Sequence, residues 1–221
     1  MLPITYRKLK YLESNGGQYI DTLVNCTSEL TFELELCSTN QTGSQAFIGA
    51  TSENRSSFFG IASNAFRFVW GERDGTSQTL DSLYHKFKVD GGKMYFDENE
   101  VGAVGSQYSG TSVYLFARNY SQTFYSYMRL KYCKMYQNGI LVRDFVPALR
   151  KSDNVPGLYD LVNNVFYVNK ASGSFTYEVD NSVYIKINGT WKPTTLFLKV
   201  NGAWKEGNIR IKANNAWKGV S

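Results

Sequence analysis

The chain has 221 residues, 43% of them hydrophobic and 19% charged, a composition that supports a buried core and argues against an intrinsically disordered protein. The formal net charge of +5 comes from residues 183–221, which carry seven lysines and arginines against Glu206 alone. The three cysteines and one histidine lack metal-ligand spacing, which argues against a zinc site and a disulfide framework. No secretory signal is recognisable. No run of about 18 apolar residues is present, which argues against membrane insertion.

Alternating apolar and polar residues predict short β-strands from residue 30 onward. In Leu30–Leu36 the apolar side chains fall on one face and Thr31, Glu33 and Glu35 on the other, which indicates a strand with one buried face. Further strands are predicted, with turn residues between them, at 46–50, 57–61, 65–70, 85–89, 93–96, around Val101, and at 113–117, 128–136, 140–146, 158–162 and 165–168.

No stretch of ten or more residues keeps a helical period, so the fold class predicted is all-β. Many short strands with tight turns favour a two-sheet antiparallel jelly-roll sandwich. Its size matches residues 1–180. The patterning changes near Asp180, and residues 181–221 form a second unit.

The second unit repeats one phrase three times, with each copy starting 13 residues after the last. Each copy places Asn-Gly or Asn-Asn between alternating residues, which predicts a two-residue β-hairpin turn. Such a hairpin is marginally stable alone, so the repeats are interpreted as an assembly or docking element. The residues assigned to it are Trp191, Lys192, Trp204, Lys205, Trp217 and Lys218. Because the lysines flank the turns regularly, as on solvated strand faces, no nucleic-acid partner is predicted.

Two stretches of the first unit resemble a known module. Residues 2–22, from Leu-Pro-Ile-Thr-Tyr to Gln-Tyr-Ile-Asp-Thr, resemble the opening of a concanavalin A-like, laminin-G-like jelly-roll module of bacteriophage and prophage virion proteins. Residues 138–153 and 157–169 resemble its closing segment, and the tail is similar to Val-Asn-Gly-x-Trp-Lys arrays that end phage tail and fibre proteins. The resemblance implies a jelly-roll fold and a virion protein, but jelly rolls of this kind include lectins, glycosidases and structural modules.

Some jelly rolls of this superfamily hydrolyse glycans with a Glu-x-Asp-x-x-Glu strand. Here Glu33-Leu-Glu35 lacks the middle aspartate and the third acid, so a solvated strand face is the preferred interpretation. No nucleophile elbow, Cys/His pair or phosphate-binding loop is recognisable. The chain is therefore predicted not to be an enzyme, and no cofactor is implied. Asp97–Glu100 is rich in oxygen ligands but lacks a calcium-binding rhythm, so a structural calcium ion stays possible without an assigned site.

Glycan binding requires an aromatic ring beside planar polar side chains. Two predicted loop regions offer this mixture. The first supplies Trp70, Glu72, Arg73 and Asp74, and the second supplies Arg118, Asn119, Tyr120 and Tyr125. Trp70 is the first choice for sugar stacking, although an aromatic residue at a strand end more often belongs to the core.

The sequence hypothesis is a phage virion-surface protein of the fibre or tail, made in the host cytoplasm. Its jelly roll would bind host-surface or mucosal glycans without catalysis. Its partners would be those glycans, other virion proteins and further copies of the chain, with a trimer expected. The alternative is a purely structural capsid or tail decoration protein that is docked through its C-terminal repeats and has no ligand of its own.

Overall fold

A computed structural model describes most of the chain: residues 2–52, 55–120, 124–180, 183–187, 190–194, 197–206, 210–213 and 216–219. The chain divides into two compact units, Met1–Glu178 and Val179–Ser221, whereas the sequence placed the boundary after residue 180. Within the described ranges all regular structure is β.

Sixteen strands lie in the described residues up to Val179. They are β1 (Tyr6–Asn15), β2 (Ile20–Asn25), β3 (Leu30–Ser38), β4 (Gln45–Ser52), β5 (Arg55–Ala62), β6 (Ala65–Trp70), β7 (Arg73–Asp74), β8 (Tyr84–Asp90), β9 (Lys93–Phe96), β10 (Asn99–Ala103), β11 (Ser112–Leu115), β12 (Tyr127–Gln137), β13 (Ile140–Arg150), β14 (Val155–Asp160), β15 (Val165–Tyr167) and β16 (Thr176–Val179).

These strands form two antiparallel sheets. The larger has the order β10-β9-β8-β3-β12-β1-β13-β14-β15, with β16 paired to β1, and the smaller has the order β2-β11-β4-β5-β6-β7. Strands β12 and β13 form a hairpin near their turn and then separate, and β1 enters between them, pairing with both. The predicted all-β, two-sheet jelly-roll sandwich is confirmed.

The core between the sheets is aromatic. Phe59 of the smaller sheet lies 5.3 Å from Phe32 and 6.3 Å from Phe87 of the larger sheet, measured between ring centroids. All three side chains are fully or almost fully buried. In β3 the apolar residues are buried and the intervening polar residues are half-buried, so the alternation predicted for residues 30–36 is confirmed. Interlocking rings of this size contribute burial and edge-to-face contacts together.

Tight turns connect neighbouring strands as their residues suggest. Asn138 and Gly139 join β12 to β13 with φ angles of 51° and 72°, the left-handed pair that a type I′ hairpin requires. Asp97 and Glu98 adopt the same pair between β9 and β10, with φ angles of 47° and 67°. Such turns match the right-handed twist of the strands and fix their register.

The second unit contains three hairpins, each a separate two-stranded sheet. Their strands are β17 (Val183–Ile187) with β18 (Thr190–Thr194), β19 (Phe197–Val200) with β20 (Ala203–Glu206), and β21 (Arg210–Ala213) with β22 (Ala216–Gly219). Asn201 and Gly202, the middle turn, have φ angles of 52° and 83°. The predicted hairpin repeats are confirmed.

Candidate functional site

A groove of about 390 Å³ lies on the outward face of the smaller sheet. A row of residues in register crosses this face: Tyr114, Gly49, Phe58, Val69 and Asp74 on β11, β4, β5, β6 and β7. Because side chains alternate along a strand, the buried neighbours of this row face the core and the row itself faces outward. The groove side chains that carry the argument are Phe58, Phe124, Arg67, Arg118, Glu72 and Asp74.

Two glycines allow β4 and β5 to approach each other closely near the groove. Gly49 lies opposite Phe58, and a Cβ atom at Gly49 would come within 2.7 Å of the Phe58 Cβ. At Gly60 a Cβ would lie 2.0 Å from the carbonyl oxygen of Gln45, at a bulge where β4 approaches β5 closely. Close approach therefore requires glycine at both positions, and the missing side chains leave the face concave.

Arg118 forms one wall of the groove. Its guanidinium lies 4.8 Å from the ring centroid of Phe58 and 4.4 Å from that of Phe124, so it is held between two aromatic faces. Its Nη1 donates a hydrogen bond of 3.0 Å to Ser56 Oγ. Its Nε is buried and has no hydrogen-bond partner among the described residues. Burial lowers the pKa of Arg118 from its usual value, while Tyr120 acts in the opposite direction.

Two acidic side chains, those of Glu72 and Asp74, also line the groove. The guanidinium of Arg67 donates to both carboxylate oxygens of Asp74, with its Nη2 3.1 Å from each. Glu72 accepts a hydrogen bond from the backbone N–H of Ser56. Its position depends on a tight turn after β6, where Gly71 and Glu72 both adopt positive φ, 63° and 68°.

The stacking role predicted for Trp70 is wrong. Trp70 is the last residue of β6 and points inward, where it is 0% exposed. Its ring lies 4.7 Å from Phe32 and 5.8 Å from Phe59. No face of the ring is left for a sugar, because alternation along β6 directs the whole Phe66-x-Phe68-x-Trp70 series into the core.

The other residues predicted from 72–74 divide between the groove and its surroundings. Glu72 and Asp74 line the groove. Arg73 is exposed beside it, where it pairs with Trp70 across β6 and β7. The turn identified from the sequence thus contributes Glu72 and Asp74 to the groove, while its aromatic residue Trp70 is buried in the core.

The residues predicted from the second loop region also separate. Arg118 lines the groove, and Tyr120, 38% exposed, lies with its ring centroid 5.4 Å from the Arg118 guanidinium. Asn119 is structural, since its side chain donates to the carbonyl of Ser112 and its backbone bonds to β4. Tyr125 lies outside the groove lining, 6.4 Å from the ring of Tyr19.

Tyr125 belongs instead to an aromatic cluster on the outward side of β11. Tyr19 and Tyr114 stack there with ring centroids 4.4 Å apart and an interplanar angle of 20°. Burial, with smaller effects of Tyr19 and Asp21, raises the pKa of Tyr114 to about 12. Tyr114 therefore stays a neutral hydrogen-bonding group at physiological pH.

Sequence reasoning missed Phe58, Arg67 and Phe124. Phe58 sits in an apolar run, Ser-Phe-Phe-Gly-Ile, whose two neighbouring phenylalanines give no sign of which one faces outward. Arg67 was identifiable from its alternation with Phe66 and Phe68 in β6. Phe124 carried no recognisable signal, because only tertiary contacts bring it to Arg118.

The two carboxylates of β3 are engaged in ion pairs. Glu35 lies 2.5 Å from the Nζ of Lys131 and Glu33 lies 3.7 Å from that of Lys134. Both lysines belong to β12, the neighbouring strand. Cross-strand pairs of opposite charge are typical of a solvated sheet face.

The carboxylate of Asp97 also accepts hydrogen bonds from groups of the protein. Asp97 accepts hydrogen bonds from the ring of His85 and from the backbone N–H of Lys86. In the parts of the chain that the structure describes, no group of three or more His, Cys, Asp or Glu side chains could hold a metal ion.

The tail residues assigned to assembly lie in β18, β20 and β22. In the register of the backbone, Trp191 pairs with Lys186, Trp204 with Lys199, and Trp217 with Lys212. The side chains of the six assigned residues lie outside the described residues: Trp191, Lys192, Trp204, Lys205, Trp217 and Lys218.

Comparisons with known proteins add no family assignment. No protein-family model matches the chain, and no curated protein matches it. Among the described residues no helix is long and apolar enough to span a bilayer. The chemistry of the groove is therefore argued from its own residues: aromatic faces, a guanidinium held between two rings, and carboxylates within one concave surface.

Proposed function

We propose that this protein is a non-catalytic carbohydrate-binding adhesion module whose ligand lies in the groove of the smaller sheet. The observation that carries the proposal is the meeting of two separate chain regions in this groove. Glu72 and Asp74 come from one region, and Arg118 and Phe124 come from the other. Together they supply the mixture of aromatic and planar polar groups that sugar recognition requires.

Each part of the groove suits one part of a sugar. The half-buried rings of Phe58 and Phe124 offer apolar faces to the C–H side of a pyranose. Arg118 donates hydrogen bonds to hydroxyls, and the carboxylates of Glu72 and Asp74 accept them. The carboxylates of Glu33 and Glu35 on β3 are paired with lysines. This pairing supports a role in which the protein binds glycans without hydrolysing them.

The proposed location is the surface of a phage virion, in a fibre or tail. Its support is the resemblance of residues 2–22 and 138–169 to the jelly-roll module of virion proteins. In this proposal the hairpin unit assembles copies of the chain into a trimer or docks them on the particle. Several grooves on one assembly would raise a weak affinity for single sugars by avidity.

A glycan array and a panel of host-cell polysaccharides test this function with the full-length protein. We expect binding to weaken about tenfold or more with Phe124→Ala, since the variant removes a ring from the groove. Tyr177→Ala is the control, because it removes an aromatic ring from β16 of the larger sheet, outside the groove lining. Unchanged thermal melting would show that both variants fold. Absence of glycan binding, or equal binding by Phe124→Ala and wild type, would contradict the proposal.

The second candidate function is structural decoration of the particle. The observation that favours it is the division of residues 183–219 into three separate two-stranded sheets, each too small for stability without a partner surface. Deleting residues 181–221 separates the two functions. Loss of virion attachment with no glycan binding by either form would favour decoration, and retained adhesion to host cells would favour the glycan-binding function.

A further inference from the structure

The charged groups of the groove are unequally satisfied. The guanidinium of Arg67 and the carboxylate of Asp74 neutralise one another, and Glu72 accepts a backbone N–H. Arg118 has no carboxylate within ion-pair distance among the described residues. Its only hydrogen bond to a described residue runs from Nη1 to the neutral hydroxyl of Ser56. Arg118 is therefore the cation of the groove whose charge is not balanced by a described acidic side chain.

The surroundings of Arg118 make this imbalance costly. The side chain is half-buried between Phe58 and Phe124, where water is partly replaced by aromatic rings. Its Nε is buried without an acceptor, and Nη2 has no partner among the described residues. A charge removed from water in this way gains from an anionic partner, because the free protein leaves its donors unsatisfied.

The geometry of the donors selects the kind of anion. A guanidinium presents parallel N–H groups in a plane, which match the two oxygens of a carboxylate. The two phenylalanine rings fix that plane at the groove wall. A carboxylate placed there lies next to Tyr120, whose ring offers a neighbouring apolar face.

We propose that the groove binds an acidic glycan and that Arg118 pairs with the carboxylate of its sugar, a uronate or a sialate. This inference rests on the proposed carbohydrate-binding function and specifies its substrate class. Arg118 then determines specificity for acidic over neutral glycans. Glu72, which contacts the same serine, Ser56, as Arg118, limits the affinity by repelling the same carboxylate.

The test uses the full-length protein and an array in which every acidic oligosaccharide stands beside its carboxyl-reduced neutral counterpart. The primary acidic probes are an oligogalacturonate hexamer and sialyllactose, and the neutral partner of each is its carboxyl-reduced form, in which a hydroxymethyl group replaces each carboxylate. We expect binding to the acidic members at least about tenfold tighter than to their neutral counterparts. Equal binding of both members would overturn the inference and leave the carbohydrate-binding function standing. Binding to no glycan would overturn both.

Variants then assign the preference to Arg118. Arg118→Gln should weaken binding of the acidic probes about tenfold or more and leave neutral glycans little changed. Arg73→Gln is the matched control, because it removes the same charge from an exposed position beside the groove. Arg118→Lys, which keeps the charge but loses the planar donor pair, should lie between wild type and Arg118→Gln.

Glu72→Gln provides a prediction of opposite sign. Removing the repelling carboxylate should tighten binding of the acidic probes by about threefold or more, and the gain should shrink at high salt. Thermal melting confirms that each variant is folded. Equal losses for Arg118→Gln and Arg73→Gln, or weaker acidic binding by Glu72→Gln, would overturn the assignment of the carboxylate to Arg118.

Discussion

Replacing His85 by glutamine tests a charge cluster that joins three segments of the sandwich. His85 is the second residue of β8, and its side chain is 11% exposed. Its Nε2 lies 2.7 Å from Asp81 in the preceding loop, and its Nδ1 lies 2.6 Å from Asp97 in the β9–β10 turn. Ionised carboxylates only accept hydrogen bonds, so both ring nitrogens must carry a proton and the ring is an imidazolium.

The magnitude follows from the two charge-assisted hydrogen bonds. Each contributes about 1.5–3 kcal/mol where it is shielded from water. Both carboxylates are 43% exposed, so solvent screening reduces this contribution. We therefore expect His85→Gln to lower the free energy of unfolding by about 1–2 kcal/mol near pH 6.

The effect should depend on pH in a defined direction. Burial lowers the pKa of His85, but the hydrogen bonds to Asp97 and Asp81 outweigh it, so the pKa is raised above its usual value. A histidine whose pKa is higher in the folded state stabilises the protein fully at pH values below its pKa in the unfolded state, about 6.5. This stabilisation is lost as the pH rises through the pKa of the folded state. The hydrogen bond from His85 lowers the pKa of Asp81, so the stability that the Asp81 carboxylate contributes is lost as the pH falls below about 4.

Urea unfolding of wild type and His85→Gln between pH 5 and pH 9.5 measures the difference directly. The difference should be largest near pH 5–6 and shrink toward pH 9, because the imidazolium loses its proton. Since the chain has a single histidine, one NMR resonance reports the folded pKa without ambiguity. A constant stability difference across this range, or a midpoint at or below 6.5, would refute the reasoning.

Three further predictions concern the core and the close approach of β4 to β5. Trp70→Ala should lower the free energy of unfolding by about 3–5 kcal/mol, because it empties a fully buried site. Tyr120→Ala, at an exposed position, should change it by less than about 0.5 kcal/mol. Similar losses for the two variants in urea unfolding would contradict the burial of Trp70. Gly60→Ala should lower the free energy of unfolding by about 1–3 kcal/mol in the same assay, since the new Cβ would clash with the carbonyl oxygen of Gln45. An unchanged free energy of unfolding would show that β4 does not lie this close to β5. Burial raises the pKa of the Cys133 thiol, so at pH 8 this cysteine should react with a thiol reagent only after unfolding. Peptide mapping locates the labelled cysteine. Rapid labelling of Cys133 in the native protein would contradict this prediction.

Much of the fold could be predicted because its signals are local. Residues 65–70 and 93–96 were predicted at the bounds observed for β6 and β9, and Asn138-Gly139 formed the expected turn. The 10-residue strand β1 was not predicted as a strand, because its run Tyr-Arg-Lys-Leu-Lys-Tyr alternates poorly. Its strand structure depends on pairing with β12 and β13, which are more than 100 residues away.

By itself, the sequence determined the all-β class, the hairpin repeats of the tail and the two regions that supply the groove, since period-2 alternation and turn residues act over a few positions. Only the tertiary structure decided which aromatic residues face outward. Trp70 entered the core, while Phe58 and Phe124 enclosed Arg118. The reason is physical: alternation fixes that neighbours point to opposite faces, but the packing of one sheet on the other selects the face that is buried.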